Sequence, residues 1–162
     1  MKKLGVFILA ISLLVFSGFQ PGERKAKKLQ KEKDMIQLIE SGHFRFVARS
    51  AKSNIGNFNN LSTNYDLVID SLKIKAYLPY YGRAYSAPYG GDGGVKFDLK
   101  ADKIDKVWNK KKKMYTIKTE VSDSNDSYAL CLTASPSSYA DLTINFRNRQ
   151  MINYYGTIER IK

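Results

Sequence analysis

The sequence predicts a mainly β fold: one N-terminal helix followed by about eight antiparallel strands that form a sandwich or a partly closed barrel. Three observations predict it. After Gly42 the apolar residues recur at every second position in one run after another, the period of a half-buried strand. Short polar turns, not helices, join these runs, which argues against βαβ units. Only residues 20–42 carry a helical period. With 162 residues, 43% hydrophobic and 12% aromatic, the chain has enough apolar material for one core and too little for two. The expected organisation is a signal peptide or uncleaved anchor over 1–19, a basic amphipathic helix over 20–42 and an antiparallel β domain over 43–162.

The first segment opens Met1-Lys2-Lys3, runs through apolar residues 4–16 and reaches Ser17-Gly18. Charge, apolar run and small residues in that order have the form of a secretory signal. The run is short for a bilayer span, which needs roughly 20 apolar residues. Cleavage after Ser17 and an uncleaved anchor both stay open. Phe19 stands where a lipoprotein would need its lipid-carrying cysteine, so the expected location is the periplasm or cell envelope without lipidation.

In the helix, Leu29, Met35 or Ile36, and Ile39 share a stripe, and Gly42 is placed to end it. Phe44, Phe46 and Ala48 begin the first strand. Residues 54–64 read as a loop by composition, and Tyr65, Leu67 and Ile69 form the second strand. Ser71 marks a tight reversal or a bulge before Leu72, Ile74, Ala76 and Leu78. Val95, Phe97 and Leu99 follow, then a strand over 103–108 and a turn over 109–113. Tyr115, Ile117, Thr119 and Val121 return; Tyr128, Leu130 and Leu132 make the next row. Pro136 separates that row from Leu142, Ile144 and Phe146, and a turn at 148–150 leads into Ile152, Tyr154, Gly156 and Ile158.

The formal net charge is +12, and setting aside Lys2 and Lys3 with the leader leaves +10. Much of the excess sits in residues 24–33 and 110–113. The excess reads first as solvated faces that keep an envelope protein soluble; where it serves contact in an exported protein, the counterpart is an envelope protein, an acidic glycan or anionic lipid, with peripheral membrane contact. Neither basic run is interleaved with aromatic platforms, so nucleic acid is not expected.

Reaction chemistry is thin. His43 is the only histidine and Cys131 the only cysteine, so two-histidine metal sites and intramolecular disulfides are excluded. His43 is expected to face solvent, and Cys131 is expected to be a small buried hydrophobe. Asp66, Asp70, Asp98 and Asp102 are spread along polar strand faces and do not form an acid and base pair. Asp123, Asn125 and Asp126, and Asp92 among its glycines, suit turns and lack calcium-loop spacing. No catalytic residue, metal or cofactor is expected.

The segment over 78–94, Leu-Pro-Tyr-Tyr-Gly-Arg-Ala-Tyr-Ser-Ala-Pro-Tyr-Gly-Gly-Asp-Gly-Gly, is what neither strand period nor core packing explains. Tyr80, Tyr81, Tyr85 and Tyr89 offer broad rigid contact area with polar tips, Arg83 a planar donor fork, and Asp92 a carboxylate. These six are the candidate binding residues. The same composition also suits a plug packed on its own scaffold, with Arg83 paired to Asp92 or another carboxylate.

The loop from Tyr77 to Gly91, Gly93-Gly94-Val95-Lys96-Phe97 and Asn153-Tyr154-Tyr155-Gly156-Thr157-Ile158 resemble the secreted bacterial family catalogued as domain of unknown function 4251. The likeness covers roughly residues 39–161. It implies a leader followed by one mainly β domain, and brings no activity, substrate or catalytic residue. The functional expectation is an exported, non-catalytic binding or interaction module presenting the loop. The alternatives are a structural or accessory envelope protein with the loop as a core plug, and a hydrolase of unfamiliar type.

Overall fold

A computed structural model describes residues 21–54, 56, 58–85, 93–124 and 126–161. The leader over 1–19 lies outside them, as do Tyr89 and Asp92. The chain falls into two units, Met1–Gln30 and Lys31–Lys162, and the sheet architecture belongs to the second. Helix α1 spans Pro21–Ser41. The strands are β1 (His43–Ser53), β2 (Phe58–Asp70), β3 (Lys73–Leu78), β4 (Val95–Lys100), β5 (Ile104–Asn109), β6 (Met114–Ser122), β7 (Ser127–Ala134), β8 (Tyr139–Phe146) and β9 (Ile152–Arg160).

Among the described residues nine strands form one antiparallel sheet in the order β4-β3-β2-β1-β9-β8-β7-β6-β5. The two edge strands, β4 and β5, are successive in sequence, with only residues 101–103 between them. A chain advances at most about 3.5 Å per residue, so this link forces the sheet to curl until one edge reaches the other. The Phe97 ring on β4 lies 4.5 Å from the Tyr128 ring on β7, across the interior of the curl. The result is a partly closed half-barrel, one of the two architectures expected, with nine strands against the eight or so anticipated.

The inward rows make one core. Phe44, Phe46, Leu67, Ile74, Leu142 and Tyr154 are fully buried within it, each apolar side chain contributing about 1.5–3 kcal/mol relative to exposure. Met35, Leu38 and Ile39 from the last turns of α1 join the same core. Leu29, expected on that stripe, is instead 52% exposed. The helix stops at Gly42, whose φ of 71° is open to glycine and costly for other residues. Lys106 on β5 donates from Nζ to the carbonyls of Ile39 (3.0 Å) and Glu40 (3.3 Å), satisfying last-turn acceptors with a cation.

Two expectations need correction. Residues 58–64 are strand and not loop: Phe58, Asn59 and Asn60 pair with Lys52, Ala51 and Ser50 beyond an irregularity between Ala48 and Ser50. Cys131 is half-buried and not enclosed, because Leu130 and Leu132 point inward and turn it to the outer face, opposite Lys118 and Thr143. His43 stands on the outer surface as expected, its Nδ1 2.6 Å from Asp70 Oδ1. The outer carboxylates Asp66 and Asp98 face Arg45 (4.0 Å) and Lys73 (3.3 Å).

Candidate functional site

Strand β3 ends at buried Leu78 and delivers the chain to the end of the half-barrel where the turns after β6 and β8 also lie. The next residues are seized at once. Tyr154, fully buried on β9, donates its phenol proton to the Pro79 carbonyl at 2.7 Å. Burial pushes that phenol well above its ordinary pKa, so it stays a donor. The Tyr80 hydroxyl reaches the carbonyls of Gln150 (2.8 Å) and Arg83 (3.0 Å). Its ring meets Phe146 edge to face at 5.4 Å. Burial raises the Tyr80 pKa as well, against the opposing charge of Arg149.

Backbone bonds complete the attachment. Gln150 N–H donates to Arg83 O (3.0 Å) and Tyr85 N–H to Asn148 O (2.8 Å), giving an antiparallel bridge between Ala84 and Arg149. Residues 79–85 are thereby laid along the turn between β8 and β9. Gly82 passes directly beneath the Tyr80 phenol, whose Cζ would lie 2.6 Å from a Cβ at that position, so any side chain there forces the phenol or the backbone to move.

Arg149 joins these parts. Its guanidinium lies 5.5 Å from the ring centres of both Tyr80 and Phe146. Nη1 donates to the carbonyls of Gly94 (3.1 Å) and Gly93 (3.4 Å), on the far side of the loop. Nε lies 3.3 Å from Asp126 Oδ2. Asp126 is 2% exposed, and its Oδ1 accepts the N–H groups of Ser127, Arg147 and Asn148 at 2.9, 3.1 and 3.2 Å. A buried carboxylate without such partners would be costly, and these four contacts match its acceptor oxygens.

Of the six predicted site residues, Tyr80 is therefore an anchor. Tyr81 and Tyr85 face solvent, 43% and 73% exposed, and Arg83 is exposed between them. Among the described residues no carboxylate forms an ion pair with Arg83. Tyr89 and Asp92, with the proposed Arg83 to Asp92 contact, lie outside the described residues. Sequence reasoning missed Phe146, Arg149 and Gln150 as loop partners and read Asp126 as an ordinary turn residue. Their only signal was an arginine and a carboxylate in turns flanking the tyrosine-rich segment, which composition alone does not single out.

The arrangement offers contact chemistry: two phenols and a guanidinium displayed from a backbone that is hydrogen-bonded in place. No curated protein matches the sequence. Among solved structures the chain is similar to a DUF4251 family protein from Bacteroides eggerthii DSM 20697, with a TM-score of 0.62 and 18% identity, covering 80% of this chain and 87% of that one. That is a likeness of fold. The model of DUF4251, a domain of unknown function, matches residues 26–158, taking in most of α1, all of the loop and nearly all of the sheet, and the chain belongs to this family.

Proposed function

We propose that the protein is an exported, non-catalytic interaction module whose contact surface is Tyr81, Arg83 and Tyr85. One observation carries the reading: the loop divides its tyrosines between two tasks. Tyr80, with Tyr154 beneath Pro79, spends its hydroxyl on the scaffold, while Tyr81 and Tyr85 are exposed to solvent, Tyr85 the more fully. Fixing the backbone beforehand lowers the ordering cost of binding, and tyrosine and arginine are the side chains that gain most from a pre-set position. The structural reading of the loop is favoured only for Tyr80. The hydrolase reading has less support, because His43 and Asp70 are each more than half exposed and do not sit in a buried cleft.

The test is photocrosslinking in cells, with Tyr85 replaced by a photoactivatable phenylalanine analogue and Tyr139, 70% exposed on β8, replaced as the control. The expected result is a discrete adduct from position 85, assigned by mass spectrometry to protein, glycan or lipid, that position 139 does not give. The same adduct from both positions, or none from position 85, would overturn the proposal.

A further inference from the structure

Opposite the tyrosine loop, the half-barrel carries a basic end that the sequence shows only as two separate runs. The turn over 110–113 joins β5 to β6, and the Lys113 ammonium lies 2.6 Å from the Glu32 carboxylate of α1. That contact brings the exposed Lys110, Lys111 and Lys112 beside exposed Lys31 and Lys33, and it uses up the one acid lying between those two lysines. Glu40, further along the helix, is likewise occupied, accepting the Tyr115 hydroxyl. Beside Lys31 a cleft of about 200 Å³ opens between the helix and the turn after β7, bordered by Arg160, Ser137 and Ser138, with Asp34 also lining it.

From this geometry we infer that the basic end docks on an anionic phospholipid surface. Three features select lipid over other polyanions. The cations are spread over a helix and a turn, which suits a plane of headgroups better than a groove that follows one strand. Aromatic platforms for stacking bases are absent from the two basic runs. The apolar run over 4–16 lies immediately upstream of the cationic helix, the order in which a juxtamembrane basic segment meets headgroups. The eight residues of β8 separate the turn over 135–138 from the turn over 147–151, about 25 Å at the strand rise. Docking would thus leave Tyr81, Arg83 and Tyr85 facing away from the bilayer. The inference stands independently of what those residues bind.

The experiment is co-sedimentation of the full chain with vesicles of pure phosphatidylcholine and with vesicles carrying roughly one-third phosphatidylglycerol. Wild type should favour the anionic vesicles by about a thousandfold or more, and Lys110→Gln/Lys111→Gln/Lys112→Gln should lose about a hundredfold of that preference at unchanged melting temperature. Raising salt from about 0.05 M to about 0.5 M should abolish the preference. Equal binding to both vesicles would show that the apolar run alone acts and would overturn the inference. So would a triple variant that keeps the full preference, or tighter capture by heparin than by anionic vesicles, which would identify a soluble polyanion as the partner.

Discussion

The carboxylate of Asp126 and the guanidinium of Arg149 form a buried ion pair at 3.3 Å that fastens both shoulders of the tyrosine loop. Arg149 covers the Tyr80 ring and holds the carbonyls of Gly93 and Gly94. Asp126 in turn is fixed by three backbone N–H groups from two different turns. Tyr80, Gly93 and Gly94 are held in this way by side chains from elsewhere in the chain.

Removing one member of this pair should destabilise the fold far more than its turn location suggests. Asp126→Ala leaves three backbone donors and a guanidinium unmatched in a buried setting, and should cost about 3–5 kcal/mol. Asp126→Asn keeps an acceptor oxygen and should cost less. Urea unfolding of the two variants checks the order.

Tyr80→Phe keeps the ring on Phe146 and removes only the hydroxyl that reaches Gln150 and Arg83. The expected loss is about 1 kcal/mol, a fall of roughly 3–6 °C in melting temperature for a domain of this size. Calorimetry of the single variant measures it.

Gly82→Ala puts a methyl group against a phenol that is itself pinned on two carbonyls. Either Tyr80 or the backbone must move, so we expect a loss of about 1–3 kcal/mol, together with faster amide exchange at Gln150, whose N–H bonds to Arg83 O. Hydrogen exchange followed by mass spectrometry reads both shoulders at once.

Alkaline pH should weaken the fold through its buried phenols, Tyr115 and Tyr128 besides Tyr154 and Tyr80. Burial pushes Tyr115 up to about 12, helped by its bond to Glu40, and Tyr128 up to about 12, helped by Asp123. An unfolded tyrosine ionises near about 10. Below that pH both states hold the protons and the contribution is constant. Between about 10 and about 12 the unfolded chain releases protons that the folded chain keeps, so stability falls as pH rises. Tyr115→Phe/Tyr128→Phe should flatten that decline in unfolding curves taken across the window.

Much of the half-barrel is legible in the sequence because one face of every strand is buried, and alternation exposes the inward row directly, as in Leu130 and Leu132 or Ile152 and Tyr154. The same alternation places Cys131 outside, where its reputation as a buried residue misleads. Residues 58–64 escape notice because Asn59, Asn60, Ser62 and Asn64 give no apolar period. Their strand character comes from backbone pairing with β1 past its irregularity. The division of the loop is hidden for a related reason. Tyr80 and Tyr81 are neighbours of the same type, and only the return of Phe146, Arg149 and Gln150 to the end of β3 decides which is held and which is displayed. Closure is legible in retrospect, since the short link over 101–103 joins what prove to be the two edges, but edge status depends on pairings far apart in the chain.

The separation of anchor from display is tested most directly by calorimetric melting of Tyr81→Ala/Arg83→Ala/Tyr85→Ala. With three exposed side chains removed and the Tyr80, Arg149 and Asp126 cluster intact, the melting temperature should stay within about 2 °C of wild type, a change of about 0.5 kcal/mol. A fall as large as that of Asp126→Ala would contradict it, showing that these residues hold the fold together and are not kept free for contact.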